Sequence, residues 1–208
     1  AEWELSGGFL PVTEEGITIV ELTARFWAFA QEYYRKPDET PTDTLQNYKS
    51  AIRYLNKVYK TCPVKDFGPL KLKAIRQDML KDNLSRGVIN KYINLVRGIF
   101  RWGVEQELVP VEVHTALTAV QALIKGRCKA RECDPVKPVP EGHIEAVRPH
   151  VSRQVWALIQ LQLHTGARAG ELVRMRLIDV DTSGKVWLYT PQDHKTANHG
   201  HSRTIYMG

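Results

Sequence analysis

Arg168 and Glu171 stand three residues apart in the run Thr165-Gly166-Ala167-Arg168-Ala169-Gly170-Glu171-Leu172. On a helix that spacing puts guanidinium and carboxylate on one face. Thr165 is placed to cap the helix by accepting from backbone N–H groups, with Gly166 relaxing the backbone before it. A guanidinium fixed where a helix begins, beside backbone donors, suits an anionic oxygen cluster such as a phosphodiester. The same spacing also describes an ordinary surface ion pair, which is common and contributes little. Spacing alone leaves both readings open. Leu177-Ile178-Asp179-Val180-Asp181 follows and marks entry into β structure.

The charge distribution favours an anionic partner. The 208 residues carry a net charge of +6, yet residues 1–40 hold eight acids against three bases, which leaves twenty-six bases against fifteen acids in the rest. A concentrated basic surplus points to a polyanion, and no basic amphipathic helix with an exposed apolar face favours a membrane. No apolar run reaches spanning length and no signal-peptide pattern opens the chain, so a soluble protein is expected. Cys62, Cys128 and Cys133 have no disulfide-framework spacing and fit a reducing compartment. Cys128, Cys133 and His143 fall one ligand short of a zinc site, so no metal is expected.

The elements that must position these residues are mostly helical. Residues 1–17 are irregular. Thr18-Ile19-Val20-Glu21 is a capping box, followed by Leu22, Phe26, Phe29 and Tyr33 at helical spacing to about Tyr34. A second helix runs from Asp43 to about Lys60, with Leu45, Ile52, Leu55 and Tyr59 inward. Its other face carries Lys49, Arg53, Lys57 and Lys60 with no acid from Thr44 to Lys60. A stripe of one sign is better explained by phosphate contact than by a solvated face, which usually mixes signs. A third helix covers Lys71–Lys81 and a fourth Ser85 to about Glu107, with Ile89, Ile93, Val96, Ile99 or Phe100 and Val104 inward. Arg86, Asn90, Asn94, Arg97 and Arg101 share its opposite face. Arginine and asparagine can pair with guanine and adenine edges, so this face suits a major groove; a plain solvent face is the alternative. A shorter helix, about Val113–Leu123, leads to Lys125, Arg127, Lys129 and Arg131, and then to Pro135, Pro138 and Pro140, a basic, proline-stiffened linker over 125–140.

Beyond it, helices are expected at Glu141–Arg148 and at Val151–His164, the latter burying Val155, Ile159 and Leu163. Asp181-Thr182-Ser183-Gly184 is a turn. A strand over Lys185–Thr190 packs Val186, Leu188 and Trp187 and pairs with His201–Tyr206, which puts Lys195 in the connection between them. The fold class is therefore mainly α: a helical domain over 18–124, then an α+β domain over 141–208 with a small antiparallel hairpin or sheet.

Thr-Gly-x-Arg-x-Gly-Glu-Leu, then Leu177-Ile178-Asp179-Val180-Asp181, then His194-Lys195-Thr196 and Arg203-Thr204-Ile205, resembles the first half of the tyrosine recombinase (phage integrase) catalytic domain. The helical block, with Phe100-Arg101-Trp102 before Leu108-Val109-Pro110, is similar to the family's SAM-like core-binding domain. The resemblance implies that two domains clamp double-stranded DNA, with the basic linker close to the duplex. It implies that Arg168 holds the nonbridging phosphate oxygens, that Lys195 protonates the leaving 5′-oxygen, and that Glu171 orients the site. It further implies a tyrosine nucleophile, no metal or other cofactor, other protomers as partners in a tetramer on DNA, and a cytoplasmic, nucleoid-associated protein. The family's second block, His-x-x-Arg and a later tyrosine, belongs well downstream of the hairpin and is not among these residues. Tyr206 is expected to pack within its strand, and His199 and His201 to be ordinary polar positions. The chain is accordingly expected to bind DNA without cleaving it, as a truncated recombinase or as a non-catalytic regulator of recombination sites.

Overall fold

The computed structural model describes residues 16–36, 38–191 and 203–208. They fall into two compact units, one up to Pro135 and the other Val136–Gly208.

In the first unit, α1 (Ile19–Tyr33) begins at the capping box: Thr18 Oγ1 accepts from the Glu21 N–H, and Glu21 Oε2 accepts from the Thr18 N–H at 2.7 Å. After α2 (Asp43–Tyr59), α3 (Pro69–Lys81) opens on a proline, whose missing N–H costs nothing in a first turn. The long α4 (Arg86–Glu105) packs against α1, α2, α3 and the short α5 (Val111–Thr118). Ile89, Val96, Ile99 and Phe100 on α4 meet Leu22, Phe26, Leu55, Leu72, Ile75 and Leu117, all fully buried. Phe26 lies 4.7 Å from the Tyr48 ring and 5.5 Å, edge-on, from Trp102. Burial and the hydrogen bond to Tyr34 push the Tyr48 hydroxyl well above the ordinary phenol range.

Two expectations for this unit are corrected. The helix expected over 113–123 stops at Thr118, because the carbonyls beyond it are taken by side chains of α3 and α4. Residues 125–131 are not free of the domain: Arg131 pairs with Ser85 in a parallel bridge, and its carbonyl accepts from the Arg86 N–H at 2.9 Å.

The second unit contains α6 (Glu141–Val147), α7 (Arg153–Thr165) and the five-residue α8 (Ala169–Val173). A 3-10 turn (Leu177–Asp179) leads to β1 (Val180–Asp181), β2 (Trp187–Tyr189) and β3 (Ile205–Met207), an antiparallel sheet of order β1-β2-β3. Its core is Ala167, Leu172, Tyr189 and Ile205, with Leu158 and Leu161 of α7 packed on it. The inward face of α7 is therefore rotated from the one expected, and Val155 (44%) and Leu163 (52%) are exposed. The strand phase differs as well. Tyr189 and Ile205 are register partners and turn inward, which leaves Val186, Trp187 and Tyr206 exposed.

A close approach in the first unit gives a direct check. A Cβ on Gly103 would meet Val109 Cγ2 at 2.4 Å and Leu22 Cδ1 at 2.9 Å, whereas one on Gly87 would meet nothing within 4 Å. Gly103→Ala is expected to destabilise the protein by about 1–3 kcal/mol through overpacking. Gly87→Ala should stabilise it by about 0.5–1 kcal/mol. Urea unfolding measures both, and an unchanged midpoint for Gly103→Ala would contradict the packing described.

Candidate functional site

Thr165 closes α7 and does not cap α8. Its hydroxyl donates to the Leu161 carbonyl at 2.6 Å and accepts from the Ala167 N–H at 3.2 Å. Gly166 then takes a left-handed conformation (φ +62°) and donates to the Gln162 carbonyl, a helix stop that favours glycine. The chain leaves this turn with Ala167 buried and Arg168 as the N-cap residue of α8.

From α8, Glu171 reaches back over one turn. Its Oε2 accepts from the Arg168 backbone N–H at 2.9 Å, and its Oε1 accepts from Arg168 Nη1 at 2.8 Å. Arg203, just before β3, places Nε 3.2 Å from the same Oε1. The buried Tyr189 hydroxyl donates to the Glu171 carbonyl at 2.8 Å. Glu171 is 4% exposed while the Arg168 side chain is 48% exposed. Burial pushes the Glu171 carboxyl up, but the Arg168 hydrogen bonds and the Arg203 and Arg168 charges more than offset this and hold it below the ordinary range. The result is an ionised, buried carboxylate that fixes one edge of a guanidinium and leaves the other N–H groups without a partner among the described residues. Such an arrangement can receive an anionic oxygen pair, and Glu171 is not set up to exchange protons at neutral pH.

Arg203 is the site residue that the sequence reading left without a role. Its signal was present in Arg203-Thr204-Ile205, but the partnership with Glu171 spans the whole hairpin. Lys195, His199 and His201 lie outside the described residues. Asp179 and Asp181 act locally: Asp179 takes Arg176 through two bonds of 2.9 Å, and Asp181 accepts from the Ser183 N–H in the turn.

On the first unit, Lys49, Arg53, Lys57 and Lys60 are all exposed along α2, and the Arg53 guanidinium lies over the Tyr54 ring. The expected groove-facing side of α4 is different. Asn90 donates to the Leu123 carbonyl at 3.0 Å and accepts from the Leu123 N–H at 2.8 Å. Arg97 donates to the Leu117 and Val120 carbonyls and to Asn94 Oδ1. Asn90 and Arg97 therefore serve the irregular backbone after α5, and their donors are not turned out for base edges. Arg86 pairs with Glu132, and the exposed Arg101 pairs with Glu105 at 3.5 Å. Lys125, Arg127, Lys129 and Arg131 are exposed.

No family model matches this sequence, and no curated protein matches it. Solved structures do match. A lambda integrase tetramer bound to a Holliday junction superposes at TM-score 0.67 and 15% identity, over 94% of this chain and 52% of that one. A lambda integrase dimer on a core site gives 0.66 and 16% over 91% and 62%. The Tn1549 transposon integrase on transposon-end DNA gives 0.65 and 16% over 92% and 61%. The fold is that of these integrases. The chain spans between 52% and 62% of the length of these three solved chains. Both units lie within the shared integrase fold, since the superposition covers more than nine-tenths of this chain.

Because the folded Glu171 carboxyl lies below its ordinary value of 4.5, the stability it contributes is present above that pH and is lost as pH falls through the lowered folded value. Glu171→Gln should therefore cost about 2 kcal/mol at neutral pH. The cost should shrink as the pH drops below the ordinary carboxylate range, in denaturant melts at several pH values. A difference independent of pH would contradict the ion-pair assignment.

Proposed function

We propose that this chain is the DNA-gripping portion and first catalytic block of a site-specific tyrosine recombinase. The observation that carries the reading is the half-exposed Arg168 guanidinium, held by a buried carboxylate on an integrase fold. Phosphoryl transfer builds negative charge on the nonbridging oxygens, and a guanidinium held in place beforehand stabilises that charge without reorganising. In this reading Arg168 clamps those oxygens, Glu171 fixes Arg168, and Lys195 delivers a proton to the leaving 5′-oxygen. The nucleophile is a tyrosine of the family's second block. Residues 1–208 do not carry that block, so in this reading they hold DNA without cutting it, as would a non-catalytic regulator of recombination sites.

Duplex DNA is engaged by the α2 stripe of Lys49, Arg53, Lys57 and Lys60 and by the bases at 125–131, with Asn94 and Arg101 left to reach the groove. These exposed cations suit phosphates, which supply most of the salt-dependent affinity. Other protomers join on DNA, in the cytoplasm where the nucleoid lies. Among the described residues no helix is long and apolar enough to cross a membrane.

Replacing Lys49, Arg53 and Lys57 together by glutamine should weaken binding to all duplex sequences and flatten the plot of log Kobs against log salt by about three. An unchanged slope removes the stripe from the interface. Separately, nicked duplex incubated with this chain should give no covalent protein–DNA band on a denaturing gel. A band would contradict the assignment of the nucleophile to the second block.

A further inference from the structure

We propose that the first unit carries a second anion site, a cationic cleft between α3 and the 119–127 segment that takes a phosphate group. The cleft has a volume of about 360 Å³ and is lined by Lys73, Arg76, Gln121 and Arg127 together with small and apolar residues, with no carboxylate in its wall.

Its wall is fixed by side chains from two helices. Asn90 holds both the N–H and the carbonyl of Leu123, Arg97 holds the carbonyls of Leu117 and Val120, and Arg76 Nη1 donates to the Gln121 carbonyl at 2.9 Å. These bonds satisfy the carbonyls that the early end of α5 leaves open, and irregular backbone needs such partners. They also bring the Arg76 and Arg97 guanidiniums near one another. Arg97 is held below the ordinary arginine range by burial first and then by the nearby Arg76 charge. Arg76 Nε is buried and has no hydrogen-bond partner among the described residues. Lys73 and Arg127 are exposed and add two further cations to the lining. Cations gathered around a cleft with no carboxylate in its wall are stabilised most by an anion that accepts several hydrogen bonds at once, and a phosphate group does this.

The free-phosphate arm of the test does not rest on the recombinase reading, and its outcome is read separately from the DNA arm. Thermal unfolding of the chain is followed with added sodium phosphate against sodium chloride of equal ionic strength, for the native protein, for Lys73→Gln/Arg127→Gln, and for the charge-preserving Lys73→Arg/Arg127→Lys. The same three proteins are titrated with duplex DNA over a range of salt. If the site takes free phosphate, phosphate raises the melting temperature of the native and charge-preserving proteins and not of the glutamine variant. If its phosphate belongs to a DNA backbone, the glutamine variant flattens the salt slope by about two, one beyond the share of Arg127 already counted in the 125–131 run, while the charge-preserving one does not. Either result supports the cleft as a phosphate site. Equal phosphate responses, or none, together with a salt slope flattened by no more than about one in the glutamine variant would overturn it.

Discussion

A carboxylate that is only 4% exposed, wedged between two guanidiniums, is the constraint on which the second unit depends. Withdrawing a charge from water costs several kcal/mol unless partners replace the lost solvation, and Glu171 has such partners at both oxygens. The same residue ties three elements together. Its side chain holds the start of α8 and approaches Arg203 at the edge of β3, while its carbonyl accepts from Tyr189 on β2. Five residues are too few for a helix to persist alone, so α8 exists because these tertiary bonds hold it. In the function proposed above, Arg168 therefore does not have to find its orientation when a phosphate arrives.

The first unit uses polar side chains for a different purpose. Its apolar faces assemble around α4 as hydrophobic periodicity requires, and Gly103 lets Leu22 and Val109 approach the backbone. Once α5 ends at Thr118, the chain runs on irregularly over α3 and α4, and its carbonyls would be costly to leave unpaired. Asn90, Arg97 and Arg76 meet that need. The exposed cations of α2 have no such duty and keep their charge for solution, so the two helices present chemically different polar faces.

Much of this architecture was legible in the sequence where the determinant is local. The α1 capping box, the stops near Lys60 and at Lys81 and the inward stripe of Ile89, Ile93 and Val96 all follow from residues a turn or two apart. The Arg168–Glu171 pairing was legible for the same reason. What escaped depends on distant partners. Nothing within a turn of Asn90 says that its amide meets Leu123, thirty-three residues on, and not solvent. The face of α7 was misjudged because Val155, Ile159 and Leu163 are as apolar as Leu158 and Leu161, and the sheet decides which set is covered. Thr165 is equally able to end one helix or begin the next; the left-handed Gly166 after it settles which. Arg203 stayed without a role because its carboxylate partner comes from the far side of the hairpin.

In the proposed function, Arg168 is held open for a phosphate. The most direct measurement is a crystal structure of the chain with duplex DNA, read at the Arg168 guanidinium. The account predicts Nη1 still on Glu171 and the outward N–H groups within hydrogen-bond distance, up to roughly 3.2 Å, of nonbridging phosphate oxygens. Duplex lying across α2 with Arg168 turned away from every phosphate, or Arg168 released from Glu171, would contradict it.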